Sequence, residues 1–280
     1  MSVTPPPEPA RRKVTTRTLR QMKAEGTKIV SLTAYDALTA SLLEAGGVDF
    51  ILVGDSAGMV VAGRRDTLSV TLEEILLMTR WVAEGVEHAL LVADMPFLTY
   101  QVNPDEAVRN AGRLLAEGGA EAVKIEGGRH IVPTVQRLVN TGIPVMGHLG
   151  LTPQSIHSFG GWHLQGVDRA AADKLMADAR LLQEAGAFAI VLEKIPAPLA
   201  EEISAGLEIP TIGIGAGAGC DGQVLVIHDL LGLFTAFKPR FVRRYAELAG
   251  EITDAVKRFT DDVRRGDFPS ADESFNPDGS

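Results

Sequence analysis

The sequence predicts an α/β fold, a (β/α)₈ TIM barrel, on three observations. Its 280 residues are 45% hydrophobic, a length that suits one closed barrel. Three stretches, EAGGVDFILV, AEGGAEAVKI and QEAGAFAIVL, repeat one cadence of helix end, glycine and strand-like run. Glycine just past a helix end supplies the left-handed turn that sends the chain back into the next strand. Finally, the strand-like runs number eight, which closes a sheet with no exposed edge.

In order, strands are expected near 28–33, 49–54, 89–93, 120–125, 143–147, 187–192, 210–214 and 223–227. Helical patterns between them imply parallel βαβ units. Thr71 with Glu74, and Asn103 with Pro104 and Glu106, carry helix-start signatures. Ala107, Ala111, Leu114 and Leu115 form one apolar stripe, and Leu175, Ala179 and Leu182 another. Trp81 falls in a helical stripe and is expected in the core, while Trp162, in the Gly-rich loop 159–169, is a candidate lid or interface residue. AGAGCDG is too short for a crossover helix between the last two strands, so VLVIHDLLGL is read as a strand followed by a short helix. The segment from Pro239 to about Gly266 reads as helical. Residues 1–14 are expected to be a disordered leader, 15–266 a single barrel domain and 267–280 a disordered tail.

The net charge of −9 argues against nucleic acid or an anionic membrane as the main partner. No apolar run approaches the ~20 residues that span a bilayer. The leader MSVTPPPEPARRK lacks a signal-peptide core, and Cys220 is the only cysteine, so a cytoplasmic setting without disulfides is expected.

Four acids end strand-like runs: Asp55 in FILVGDS, Asp94 in LLVADMPF, Glu126 in AVKIEGG and Glu193 in AIVLEKIP. A carboxylate is costly inside a doubly buried strand and natural just past its carboxyl end, where barrel enzymes build their sites. Asp55, Asp94 and Glu126 end adjacent strands two, three and four. Crowded carboxylates repel unless a cation sits among them, and oxygen-only donors favour Mg²⁺. Each acid alone could instead cap the following helix.

Lys124 shares its strand face with Glu126, which turns it into the barrel. It is either half of a structural ion pair with Glu126 or Asp94, or a receptor for a substrate carboxylate. Glu193 ends strand six, across the barrel from the acids, where it could serve as a general base or pair with Lys194. For His148, a hydrogen-bonded structural role is the expectation. Asp36 in TAYD is read as a helix cap. GIGAG at 213–217 is read as a phosphate cradle or a tight turn.

Taken together, VGDSAGMVVAG, DMPF, VKIEGG, GHLGLTPQS, FGGW, VLEKIP and IGIGAG…DGQVLVIHDLLGL resemble the ketopantoate hydroxymethyltransferase family over residues 14 to 262. The resemblance implies a Mg²⁺-binding barrel, usually a decamer in bacteria. It implies transfer of a hydroxymethyl group from 5,10-methylenetetrahydrofolate to 3-methyl-2-oxobutanoate, giving 2-dehydropantoate in pantothenate and coenzyme A biosynthesis. Carried over by motif, Asp55, Asp94 and Glu126 form the metal set. Ser56 and Lys124, with Asp55 and Asp94, hold the keto acid, and Glu193 accepts the proton. Ala218-Gly219-Cys220 departs from a more polar stretch, and no compact motif marks the folate site. Two rivals are a Mg²⁺-dependent lyase of the isocitrate-lyase type, whose K-x-C-G-H loop is missing here, and a non-catalytic barrel that binds an acidic metabolite.

Overall fold

The structure, a computed structural model, describes residues 12–275. The chain divides into two compact units, one ending at Val226 and one beginning at Ile227.

The first unit holds a closed barrel of eight parallel strands in sequence order. They are β1 Ile29–Thr33, β2 Phe50–Val53, β3 Leu90–Asp94, β4 Ala122–Glu126, β5 Val145–Gly150, β6 Ala189–Glu193, β7 Thr211–Ile214 and β8 Gly222–Leu225. Parallel pairing of β8 with β1 closes the ring. Around it run α1 Thr16–Ala24, α2 Ala37–Ala45, α3 Ala57–Val60, α4 Leu72–Ala83, α5 Pro104–Ala116, α6 Val132–Asn140, α7 Ile156–Phe159, α8 Arg169–Glu184 and α9 Ala197–Ala205. β7 runs into β8 with no intervening helix, as the seven residues between them require. Gln223 Nε2 donates to Gly217 O at 2.9 Å, closing GIGAG as a tight turn.

The expected helix starts are in place. Thr71 and Glu74 exchange a reciprocal capping box, Asn103 accepts from Glu106 N with Pro104 at the first helical position, and Asp36 accepts from Thr39 N. Trp81 is a correction: it is 49% exposed. Helix α4 buries Ile75, Thr79 and Val82 along one stripe, which leaves Leu77 and Trp81 outward.

The strand faces set the site. One inward row per strand joins a single core: Phe50 and Leu52, Leu90 and Val92, Ala122, Met146, Ala189 and Val191. Leu19 of α1 packs into the same cluster. Two residues further along these rows, the polar side chains begin, at Asp94, Lys124, His148 and Glu193. The barrel is therefore apolar through its middle and charged at the carboxyl ends.

The second unit contains α10 Ile227–Leu230 and α11 Leu248–Arg265. The helix expected from Pro239 starts only at Leu248. Tyr245 N and Leu248 N donate to the carbonyls of Leu230 and Leu231, so this stretch folds back on the α10 turn instead of making its own helical bonds.

The expected leader falls largely on residues 1–11, outside the described residues, as do 276–280 of the tail. Val14 N donates to His88 O, and Lys13 Nζ meets Ala89 O and Glu121. Within 267–275 there is one short 3₁₀ turn, Ala271–Glu273.

Candidate active site

Sheet register builds the site. Asp94 on β3 lies opposite Lys124 on β4, Glu126 opposite His148 on β5, and Gly150 opposite Glu193 on β6. Asp55, Asp94, Lys124, Glu126 and His148 are all buried. Lys124 Nζ forms an ion pair with Asp94 Oδ1 at 2.8 Å. The other Asp94 oxygen, Oδ2, accepts from Asp55 N at 3.0 Å. Glu126 follows the same scheme, with Oε2 accepting from Gln154 N at 2.9 Å and Oε1 lying 3.2 Å from His148 Nδ1. Asp55 Oδ2 accepts from Gln154 Nε2 at 2.9 Å.

His148, hydrogen-bonded as expected, corrects one expectation, that Glu193 stands across the barrel from the acids. Its Nε2 lies 3.2 Å from Glu193 Oε2, so one imidazole spans Glu126 and Glu193. Glu193 is thus joined to the acid cluster through a single ring and does not stand apart across the barrel. Lys194 donates to the Trp162 carbonyl, so its ammonium serves the FGGW loop. The sequence signal for His148 is strand parity: it shares the inward row of Met146, beside Glu126.

Ser56 follows Asp55 at the start of α3, and its Oγ lies 2.8 Å from the buried Tyr35 hydroxyl. A Cβ on Gly54 would sit 2.8 Å from Ser56 Oγ, so the glycine in VGDS leaves room for this hydroxyl. Tyr35, Tyr100 and Gln154 carry no sequence signal, because all three lie beyond strand ends where periodicity lapses.

The electrostatics are dominated by crowding. Burial, then the charges of Asp94 and Glu126, push the Asp55 carboxyl well above the usual carboxylate range, against Lys124 and the Gln154 hydrogen bond. Burial alone would favour neutral Lys124. The charges of Asp94, Glu126 and Asp55 outweigh it and hold the ammonium above the ordinary lysine range. For His148, burial and the Lys124 charge oppose protonation. Contact with Glu126, its charge and contact with Glu193 prevail and push the pKa up to about 9.

With all groups ionised, four acids face two bases, a deficit of two positive charges in a buried space. Among the described residues, no three His, Cys, Asp or Glu side chains converge as they stand to enclose a metal ion. Asp94 is turned to Lys124 and Asp55 to Gln154. The donor set still fits a hard divalent cation: it is all carboxylate, short of positive charge, and most strained at Asp55.

Fold and site together define a (β/α)₈-barrel enzyme whose polar groups gather at the carboxyl ends of the strands. A family model described as ketopantoate hydroxymethyltransferase matches residues 13–271. The chain is 58% identical over 266 residues to the 3-methyl-2-oxobutanoate hydroxymethyltransferase of Prosthecochloris aestuarii, covering 94% of this chain and 96% of that one. It is 56% identical over 264 residues to the protein of that name from Syntrophus aciditrophicus, covering 94% and 97%. This chain belongs to the ketopantoate hydroxymethyltransferase family.

More distant solved structures share the barrel. A phosphonopyruvate hydrolase complex with oxalate and Mg²⁺ aligns with TM-score 0.60 at 15% identity, over 93% of each chain. A 2,3-dimethylmalate lyase of the PEP mutase/isocitrate lyase superfamily aligns with TM-score 0.59 at 18% identity, over 94% and 92%.

Proposed function

We propose that the protein transfers a hydroxymethyl group from 5,10-methylenetetrahydrofolate to 3-methyl-2-oxobutanoate, giving 2-dehydropantoate for pantothenate and coenzyme A biosynthesis. Family membership supports the substrates and the reaction. The observation that carries the mechanism is the chain of buried Asp94, Lys124, His148 and Glu126, with half-buried Glu193 at its end, which sets an ammonium and a carboxylate at one apolar-floored mouth.

Asp55 and Asp94, with Glu126 completing the acidic set, would hold Mg²⁺, which supplies Lewis-acid stabilisation of the charge that develops on an enolate oxygen. Lys124 and the Ser56 hydroxyl bind and orient the keto acid. The Lys124 ammonium, kept charged by its acidic neighbours, neutralises the substrate carboxylate. Glu193 takes the C3 proton, and its Oε2 is oriented by His148 Nε2 at 3.2 Å. The C3 carbon then bonds to the folate-borne methylene. The methylene's bonds to the two folate nitrogens break, and water supplies the hydroxyl. Water's second proton, together with the one held by Glu193, passes to those nitrogens as tetrahydrofolate leaves.

The same reading places the enzyme in the cytoplasm as a homo-oligomer, a decamer by family resemblance. No helix among the described residues is long and apolar enough to cross a membrane.

C3 proton exchange in deuterated buffer tests the base. Glu193→Gln should still bind the keto acid while exchange falls by about 10²-fold or more, the scale of one positioned acid–base group. Exchange at the wild-type rate would remove Glu193 from that role.

A further inference from the structure

Gln154 lies in the 3₁₀ turn Pro153–Ser155 that follows β5, and it is 6% exposed. Every polar group of its side-chain amide is engaged. Nε2 donates to Asp55 Oδ2 at 2.9 Å and to Met95 O at 3.0 Å. Oε1 accepts from the Tyr100 hydroxyl at 2.8 Å and from Gln101 Nε2 at 3.0 Å. Its main-chain N–H also donates to Glu126 Oε2 at 2.9 Å.

These partners leave the amide one orientation. A carbonyl only accepts, so the NH₂ must face Met95 O, and the carboxylate of Asp55 calls for the same group. The Tyr100 hydroxyl accepts from Glu126 N at 2.9 Å, which frees its proton for Gln154 Oε1 or, at 3.1 Å, Glu126 O. One residue thereby ties together the chain just past β2, β3 and β5 and the last residue of β4.

The chemistry of this tie matters as much as its geometry. An arginine or lysine at this place would cancel part of the negative charge of the cluster. A neutral amide grips Asp55 while the four-to-two excess of acids over bases persists. We propose that Gln154 is a positioning residue that fixes Asp55 and Glu126 relative to each other for divalent-cation binding, with Tyr100 locking its amide. Groups that orient metal-binding carboxylates in this way set affinity without touching the ion.

The proposal rests on the Mg²⁺ reading above, and calorimetric titration of the full-length metal-free protein with Mg²⁺ separates the two. If the wild type takes up no Mg²⁺, the metal reading falls and this inference falls with it. If the wild type binds, Gln154→Leu should weaken binding about 10- to 100-fold. Tyr100→Phe, which leaves Gln154 in place but unlocks it, should weaken binding about fivefold, roughly one neutral hydrogen bond. A merely structural residue would lower the melting temperature of the metal-free protein yet leave the Mg²⁺ affinity of the folded fraction unchanged. Wild-type affinity in folded Gln154→Leu overturns the inference. Should that variant fail to fold, wild-type affinity in Tyr100→Phe overturns it instead.

Discussion

Replacing Lys124 by Met is the sharpest perturbation of the cluster, because it removes a cation and nearly conserves volume. The ion pair with Asp94 is 2.8 Å long and both side chains are buried. At an effective dielectric near 20, one such contact is worth about 6 kcal/mol of Coulomb attraction. Returning the ammonium's desolvation cost offsets part of this, and a buried charge left without its partner typically costs about 3–5 kcal/mol net. The loss should depend on pH with a definite sign. The Lys124 charge holds the Asp55 pKa down against burial, so its removal pushes that pKa further up. A carboxyl raised in the folded state costs nothing extra below the unfolded value of about 4, and the penalty grows as pH rises above it. Urea unfolding of the metal-free proteins should therefore show a loss of about 3–5 kcal/mol at pH 8 that shrinks by at least half at pH 5. A loss under about 1 kcal/mol at pH 8, or one of equal size at both pH values, refutes the picture of Lys124 as the compensating charge.

Two further outcomes follow from the same geometry. His148 has its pKa raised to about 9 in the fold, so the imidazolium's contribution is complete below the unfolded value of about 6.5 and is lost as pH rises through 9. The stability gap between wild type and His148→Asn, on the order of 3 kcal/mol at pH 6, should close by pH 10; a gap that does not vary with pH would contradict the bridge. Gly128, two residues after Glu126, faces the fully buried Asp178 of α8, and an added Cβ would lie 2.1 Å from Asp178 Oδ2. Gly128→Ala should thus cost about 1–3 kcal/mol in thermal or urea unfolding, and a neutral result would mean that the loop shifts freely.

Much of this protein is legible in its amino-acid pattern. The repeated glycine-strand cadence and eight apolar runs place every barrel strand to within a few residues, because a buried parallel strand demands a continuous apolar run and its turn demands particular residues. Strand-end acids are legible for the same reason, since a carboxylate stands out after such a run. Alternation along β4 also turns Lys124 inward, where it is found against Asp94. The pattern misplaces Trp81 because the apolar face of α4 is wide enough to hide which stripe turns inward. It misses the late start of α11 because tertiary hydrogen bonds to the α10 turn displace helical ones.

The barrel and the charged groups at its mouth are thus legible in the sequence alone. These follow from local hydrophobic periodicity and the cost of burying charge. How those groups partner one another emerges from the folded chain. His148 sits between Glu126 and Glu193, and Gln154 ties Asp55 to the chain at the ends of three other strands, because sheet register and loop closure bring them within hydrogen-bonding reach. Such contacts, made across as many as 99 residues of chain, leave no local pattern to read.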